Sequence, residues 1–214
     1  MRPLRQLLHG PWCCWLHIRT GKLALVLRCL KLAVMEFQML ICFAEWKRYV
    51  TQKPKYYSLS RMQKPIIMLC PWQLTMVVQE TLRLYSPGKF VVREALQDMK
   101  IRDLVIPRGV SFWVPIPVLH QDPELWGPDA HQFNPERFSH GTAGACKNPQ
   151  AYMPFGVGPH VCVGQHLAMI ELKLILSLIL SKFSFSPSPG HQHHAAFKMV
   201  IEPGNGVNLL MRRL

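Results

Sequence analysis

The densest chemistry in the chain lies in Phe155–Gly164, FGVGPHVCVG, where Gly156, Gly158 and Gly164 bracket a single cysteine, Cys162. Glycine tolerates positive φ and lets backbone approach a flat partner closely. Gln165–Leu180 follows as a run that is apolar at most positions, which predicts a helix buried over most of its surface. The thiol therefore precedes a helix N-terminus, where free N–H groups and the macrodipole favour an anion such as a thiolate. The spacing leaves two readings open. One is a thiolate held against a flat partner as an iron ligand; the other is an inert, buried cysteine in a Gly-rich turn.

Two further sets of residues carry charge in places that need explaining. Glu80 and Arg83 lie three apart in Thr75–Ser86, TMVVQETLRLYS, which has helical spacing and is stopped by Pro87–Gly88. On spacing alone this is a surface ion pair of little worth. Arg93 stands in the partly β-branched, extended stretch Lys89–Ala95 and needs a partner, a carboxylate either of the protein or of a ligand.

The elements that must hold these residues follow from the punctuation of the chain. Pro107–Arg108–Gly109 is a turn, Val110–Pro117 reads as a strand ending in prolines, and Asp122–Pro123 opens a short turn or helix. Residues 127–150 read as a long loop, and a loop of that length in a compact domain wraps a feature or carries function. Phe197–Glu202 and Val207–Met211 flank Pro203–Gly204–Asn205–Gly206, which predicts a β-hairpin. His191, His193 and His194 read as part of a flexible loop rather than a metal site.

Composition narrows the classes. At 214 residues, 49% hydrophobic and 17% charged, the chain can bury a sizeable core, which excludes full disorder. Eighteen prolines and thirteen glycines count against an all-helical bundle. Seven cysteines are too few for a disulfide-dense scaffold, and their odd number leaves at least one unpaired. The net charge of +13 is uneven: residues 1–70 hold twelve Lys/Arg against two acids, and 71–214 hold thirteen against ten. The remainder beyond residue 70 is balanced like an ordinary domain, so no nucleic-acid partner is expected. Residues 1–35 lack acids, as a transit peptide does, yet the first serine is Ser58. Leu23–Trp46 is apolar but interrupted by Arg28, Lys31, Glu36 and Gln38, so it offers no uninterrupted run of about 18 apolar residues to span a membrane.

Three motifs resemble those of one family. Glu80-x-x-Arg83 is similar to the ExxR helix of cytochromes P450, Pro135–Glu136–Arg137–Phe138 to their PERF segment, and Phe155-x-x-Gly158-x-His160-x-Cys162-x-Gly164 to their haem-binding loop. In this order they resemble the C-terminal half of a P450 over residues 73–214, and YMPFGVGP and VVQETLRLYSP are similar to plant microsomal members that oxidise gibberellins and related terpenoids. The resemblance implies a mainly α fold with small β-sheets (α+β), C-terminal half only, preceded by a basic, apolar segment 1–72 without likeness to the family. It implies haem as cofactor, Cys162 as the iron ligand, and Arg93, Phe155, Gly156, Gly158, His160 and Gly164 around the haem, with Arg93 and His160 on its propionates. It implies that Glu80, Arg83 and Arg137 form a buried triad.

The activity implied is that of a haem-thiolate monooxygenase, inserting one oxygen atom from O₂ into a small lipophilic, terpenoid-like substrate. Its electron donor would be NADPH–cytochrome P450 reductase, its location the endoplasmic reticulum membrane despite the lack of a clear anchor, and its state monomeric. The distal acid–threonine pair of the family has no counterpart here, so no catalytic residue is assigned. The alternative is therefore a truncated, inactive haem-binding or non-functional fragment. Helix faces left without their usual partners predict exposed apolar surface.

Overall fold

The computed structural model describes residues 71–189, 195–197, 200–204 and 208–214. The first described helix, α1 (Pro71–Leu84), places Leu74, Val77, Val78 and Leu82 on one face. Proline is tolerated in a first helical turn, where its missing N–H has no partner to lose. Helix α1 therefore starts before the expected Thr75 and closes at Leu84, because Ser86 precedes Pro87 and is pushed out of the helical region.

Strand β1 (Phe90–Glu94) follows, then the short β2 (Met99–Ile101) and β3 (Leu104–Ile106), and then β4 (Ser111–Pro115). Strand β1 pairs antiparallel with β4, setting Arg93 opposite Phe112, and β2 pairs with β3. Single-turn helices α2 (Ile116–Leu119) and α3 (Pro123–Trp126) come next, the latter capped by Asp122 accepting from Glu124 N–H at 2.9 Å. The long loop from 127 carries 3-10 turns at Pro135–Phe138 and Pro149–Ala151, and a third at Gly158–His160 leads into α4 (Gln165–Leu180). Thus helices and small two-stranded sheets make up the described part of the chain, a mixed α+β architecture.

The core has two parts. Leu172, Leu176 and Leu180 of α4, each four residues from the next, pack against the apolar face of α1. Trp126, Ala130, Phe138 and Ala145 gather around Met76 on another side of α1. Helix α1 is thus enclosed from two directions.

Two expectations fail here. The first is burial of α4 over most of its surface: Leu167, Ile170, Leu174 and Leu178 are each more than half exposed. One packed neighbour covers one face of a helix, and α1 is that neighbour. The second is the hairpin between 197–202 and 207–211. Strand β7 (Ile201–Pro203) instead folds back on β6 (Ala195–Phe197), while β8 (Leu209–Arg213) reaches back to β5 (Phe183–Pro187) through five residue pairs. Pro203 has no N–H to extend a ladder, so β7 ends there, and the longer register with β5 takes β8. His191, His193 and His194 lie outside the described residues, as does Leu23–Trp46. Among the described residues no helix is long and apolar enough to cross a membrane.

Leu176 is 1% exposed and Leu174 is 56% exposed, two positions apart on one helix. Leu176→Ala is expected to lower unfolding free energy by about 2–5 kcal/mol through lost burial and a residual cavity. Leu174→Ala should change it by less than about 0.5 kcal/mol. Urea denaturation of the two variants checks the difference.

Candidate functional site

Helix α1 carries Glu80 and Arg83 into the interior, both 0% exposed, so the pair is not the surface ion pair that spacing alone suggested. Arg83 Nε and Nη2 donate to the two oxygens of Glu80, each at 2.8 Å, in a side-by-side fork. Arg83 Nη1 donates to the carbonyls of His120 (2.7 Å) and Ala130 (2.6 Å), and Nη2 also to Gln132 O (3.1 Å). The guanidinium lies 5.1 Å from the Trp126 ring centre. All of its N–H groups are therefore engaged.

Glu80 also accepts from Asn134 N–H at 2.8 Å, and its Oε1 lies 3.8 Å from Arg137 Nε. Burial pushes the Glu80 carboxyl up from its ordinary value, against the hydrogen bond and charge of Arg83, the Asn134 N–H and the charge of Arg137. Arg137 reaches this place from the 135–138 turn. It donates to Trp126 O at 2.6 Å and pairs with Asp129 at 2.7 Å.

His120, at the end of α2, carries no sequence motif that marks it. It is fully buried. Its Nδ1 is 3.2 Å from Arg83 O, and Met153 N–H donates to its Nε2 at 3.0 Å. The ring stacks on Tyr152 and meets Trp126 edge-on. Burial, together with the charge of Arg83, lowers its pKa from 6.5 to about 4, although hydrogen bonds to backbone carbonyls act the other way. Its partners are 37 and 33 residues away. A lone histidine before Asp122–Pro123 is the only local trace.

Met153 opens the glycine loop. Gly156 N–H donates to Met153 O at 3.0 Å, and Cys162 N–H to Phe155 O at 2.8 Å. Gly156 has φ +77°, and a Cβ there would also meet His160 O at 3.3 Å. Gly158 has φ +73°. Gly164, by contrast, sits at the N-cap of α4 with φ −87°, a conformation open to any residue. Cys162 is exposed, which sets aside the reading of a buried, inert cysteine. Among the described residues Arg93 has no carboxylate partner; its guanidinium donates to Val92 O (2.9 Å) and Val157 O (3.0 Å) and so ties β1 to the glycine loop.

A cavity of about 490 Å³ opens between β1, this loop and the first turns of α4. Arg93, Phe155, Gly156, His160, Cys162 and Gly164 line it, and Gly158 does not. Val91, Ile116 and Leu167 supply apolar walls.

A sequence profile for Cytochrome P450 matches residues 73–209. The chain belongs to the cytochrome P450 family. Among curated P450 relatives it is 58% identical to Cytochrome P450 714C2 of Oryza sativa subsp. japonica over 142 residues, 66% of this chain and 27% of that protein. Cytochrome P450 714A2 of Arabidopsis thaliana is 56% identical over 134 residues, 63% of this chain and 26% of that protein. The 11-oxo-beta-amyrin 30-oxidase of Glycyrrhiza uralensis is 40% identical over 163 residues, 76% of this chain and 29% of that protein. That last span exceeds the 142 residues of 73–214, so it takes in sequence before residue 73. The chain spans about a quarter of the length of these relatives. A crystal structure of a cytochrome P450, CYP102L1, shares the fold at a TM-score of 0.68 and 23% identity, covering 84% of this chain and 42% of that one.

Haem is the cofactor of P450s, and the cavity fits such a group. It offers one exposed thiol, apolar walls for a flat macrocycle, a glycine where a Cβ would crowd the backbone, and Arg93 and His160 for anionic edges.

Two outcomes are expected. Arg83→Ala strands the Glu80 carboxylate and should cost about 3–5 kcal/mol, read by chemical denaturation. Acid should also destabilise the fold through His120. The folded chain keeps the ring neutral to about pH 4, whereas the unfolded chain takes up a proton near 6.5. That contribution is whole above pH 6.5 and is lost as pH falls through 4. His120→Phe should remove from the pH–stability curve a component worth roughly 3 kcal/mol at 1.36 kcal/mol per pKa unit.

Proposed function

We propose that this chain is the haem-thiolate portion of a monooxygenase that inserts one oxygen atom from O₂ into a small lipophilic, terpenoid-like substrate. The observation that carries the reading is the meeting of an exposed thiol, Cys162, with Arg93 and His160 in one largely apolar cavity. The substrate class is supported by the similarity to a protein named as an oxidase of 11-oxo-beta-amyrin.

In this reading Cys162 ligates the iron as thiolate. The N-terminus of α4 stabilises that charge, since the sulfur's residue lies just before the helix and its carbonyl accepts from Gln165 N–H at 3.1 Å. Arg93 and His160 hold the propionates. His160 gives single hydrogen bonds where a guanidinium would give a fork, so its hold is weaker. Phe155 packs beside the macrocycle, Gly156 and Gly158 let the loop turn against it, and Gly164 gives way to the helix. Glu80, Arg83 and Arg137 hold the platform behind the loop. Haem bound in this way supplies O₂ binding and O–O cleavage, the latter favoured by electron push from the thiolate.

NADPH–cytochrome P450 reductase is the proposed electron donor, the endoplasmic reticulum membrane the proposed location, and a monomer the proposed state. The reduced, CO-bound difference spectrum of the chain given haem tests the reading. The expected result is a long-wavelength Soret band that Cys162→Ser abolishes. No haem uptake, or only the shorter-wavelength band of haem without a thiolate ligand, would overturn it.

A further inference from the structure

We propose that His120 is a positioning residue that fastens the Cys162 loop to α1 through a neutral ring carrying its proton on Nδ1. The tautomer follows from the partners. Met153 N–H can only donate, so Nε2 must accept, at 3.0 Å. Nδ1 then carries the hydrogen and donates to Arg83 O at 3.2 Å. The same residue's carbonyl accepts from Arg83 Nη1 at 2.7 Å. His120 is thus bound to Arg83 through backbone and side chain together, and it hands that anchorage to the first peptide of the loop.

From Met153 the path to the thiol is short. Met153 O accepts from Gly156 N–H at 3.0 Å, and Phe155 O accepts from Cys162 N–H at 2.8 Å. Moving the Met153 peptide therefore moves the turn against which the Cys162 amide is set. Tyr152 stacks on the imidazole at 5.6 Å between ring centres, while its hydroxyl donates to Gln79 O at 3.0 Å. Both sides of the loop entry are consequently fixed to α1.

A second proton on the ring would set N–H against N–H at Met153 and release the loop. Among the described residues, the charged and titratable groups around the imidazole oppose that proton or are engaged elsewhere. Arg83 of α1 is cationic and adjacent, and Glu80 is taken up by Arg83 and Asn134. Arg137 is directed to Trp126 O and Asp129, and the Tyr152 hydroxyl is turned to Gln79.

The consequence at Cys162 rests on the haem-thiolate reading, but the tie itself does not. It is tested first by amide hydrogen exchange on the full chain without haem, comparing native protein, His120→Phe and His120→Gln. Phenylalanine keeps the volume and the stacking; glutamine restores a donor and an acceptor. The expected result is that His120→Phe speeds exchange of the Met153 and Cys162 amides about tenfold or more, the loss of one buried hydrogen bond, while Val78 in α1 keeps its protection. His120→Gln should recover most of the loss. Equal acceleration everywhere, or none at Met153, would overturn the proposal.

Should His120→Phe fail to fold, the native chain decides. Met153 protection should vanish with protonation of the His120 ring, followed by NMR, while Val78 stays protected. Survival past that titration would overturn the tie. With haem added, the share of thiolate-ligated CO complex should fall in His120→Phe and return in His120→Gln. A native chain that takes no haem, yet releases Met153 on His120→Phe, keeps the tie and overturns only the haem reading.

Discussion

A guanidinium and a carboxylate with no solvent exposure cannot stand without partners for every donor and acceptor. Arg83 meets that demand by drawing in Glu80, the end of α2, and the carbonyls of Ala130 and Gln132. Apart from Glu80, these partners lie 37 to 49 residues from Arg83, in stretches with little regular structure of their own. Hydrogen bonding to one buried cation gives the long loop after α3 a defined path. Arg137 then closes the arrangement from the 135–138 turn, using Asp129 and Trp126 O. The aromatic group of Trp126, Phe138 and Tyr152 fills the space around this polar centre.

The cavity that Cys162 lines lies between β1, the glycine loop and the start of α4. Helix α4 packs Leu172, Leu176 and Leu180 on α1, and its first turns help to line the cavity. The glycine loop is held at three places: by His120 at Met153, by Arg93 at Val157, and by the start of α4 behind Cys162. Rigid backing and an exposed thiol are compatible because the loop is fixed through backbone groups. The cysteine side chain stays available. Preorganisation of this kind is what a metal ligand needs, since the protein sets the orientation and surroundings of the sulfur.

The exposed stripe Leu167, Ile170, Leu174 and Leu178 shows how composition and packing diverge. Apolar residues at most positions of α4 indicate that most of its surface suits burial. Which face is covered depends on what lies beside it. The described residues cover the face toward α1.

Much was local and could be read from the chain. The helices around Glu80 and after Gly164, the strand holding Arg93, the turn at 107–109 and the Gly-rich cysteine loop follow from periodicity and from glycine and proline, which act within a few residues. Motif order also carried the family. Long-range pairing lay beyond that reach. Strand β8 took β5 rather than β7, because ladder length and the missing N–H of Pro203 outweighed proximity along the chain. Spacing alone gave Glu80 and Arg83 as a surface pair, and only packing around α1 removed the water that makes such pairs weak. His120 had no signature, because its meaning lies in two backbone groups more than thirty residues distant. The sequence by itself determined which side chains could do chemistry and where the two main helices, the Arg93 strand and the chief turns lie. The tertiary structure decided which of them are buried, which meet, and which proton the imidazole carries, because desolvation and hydrogen-bond partnership arise only where distant segments come together.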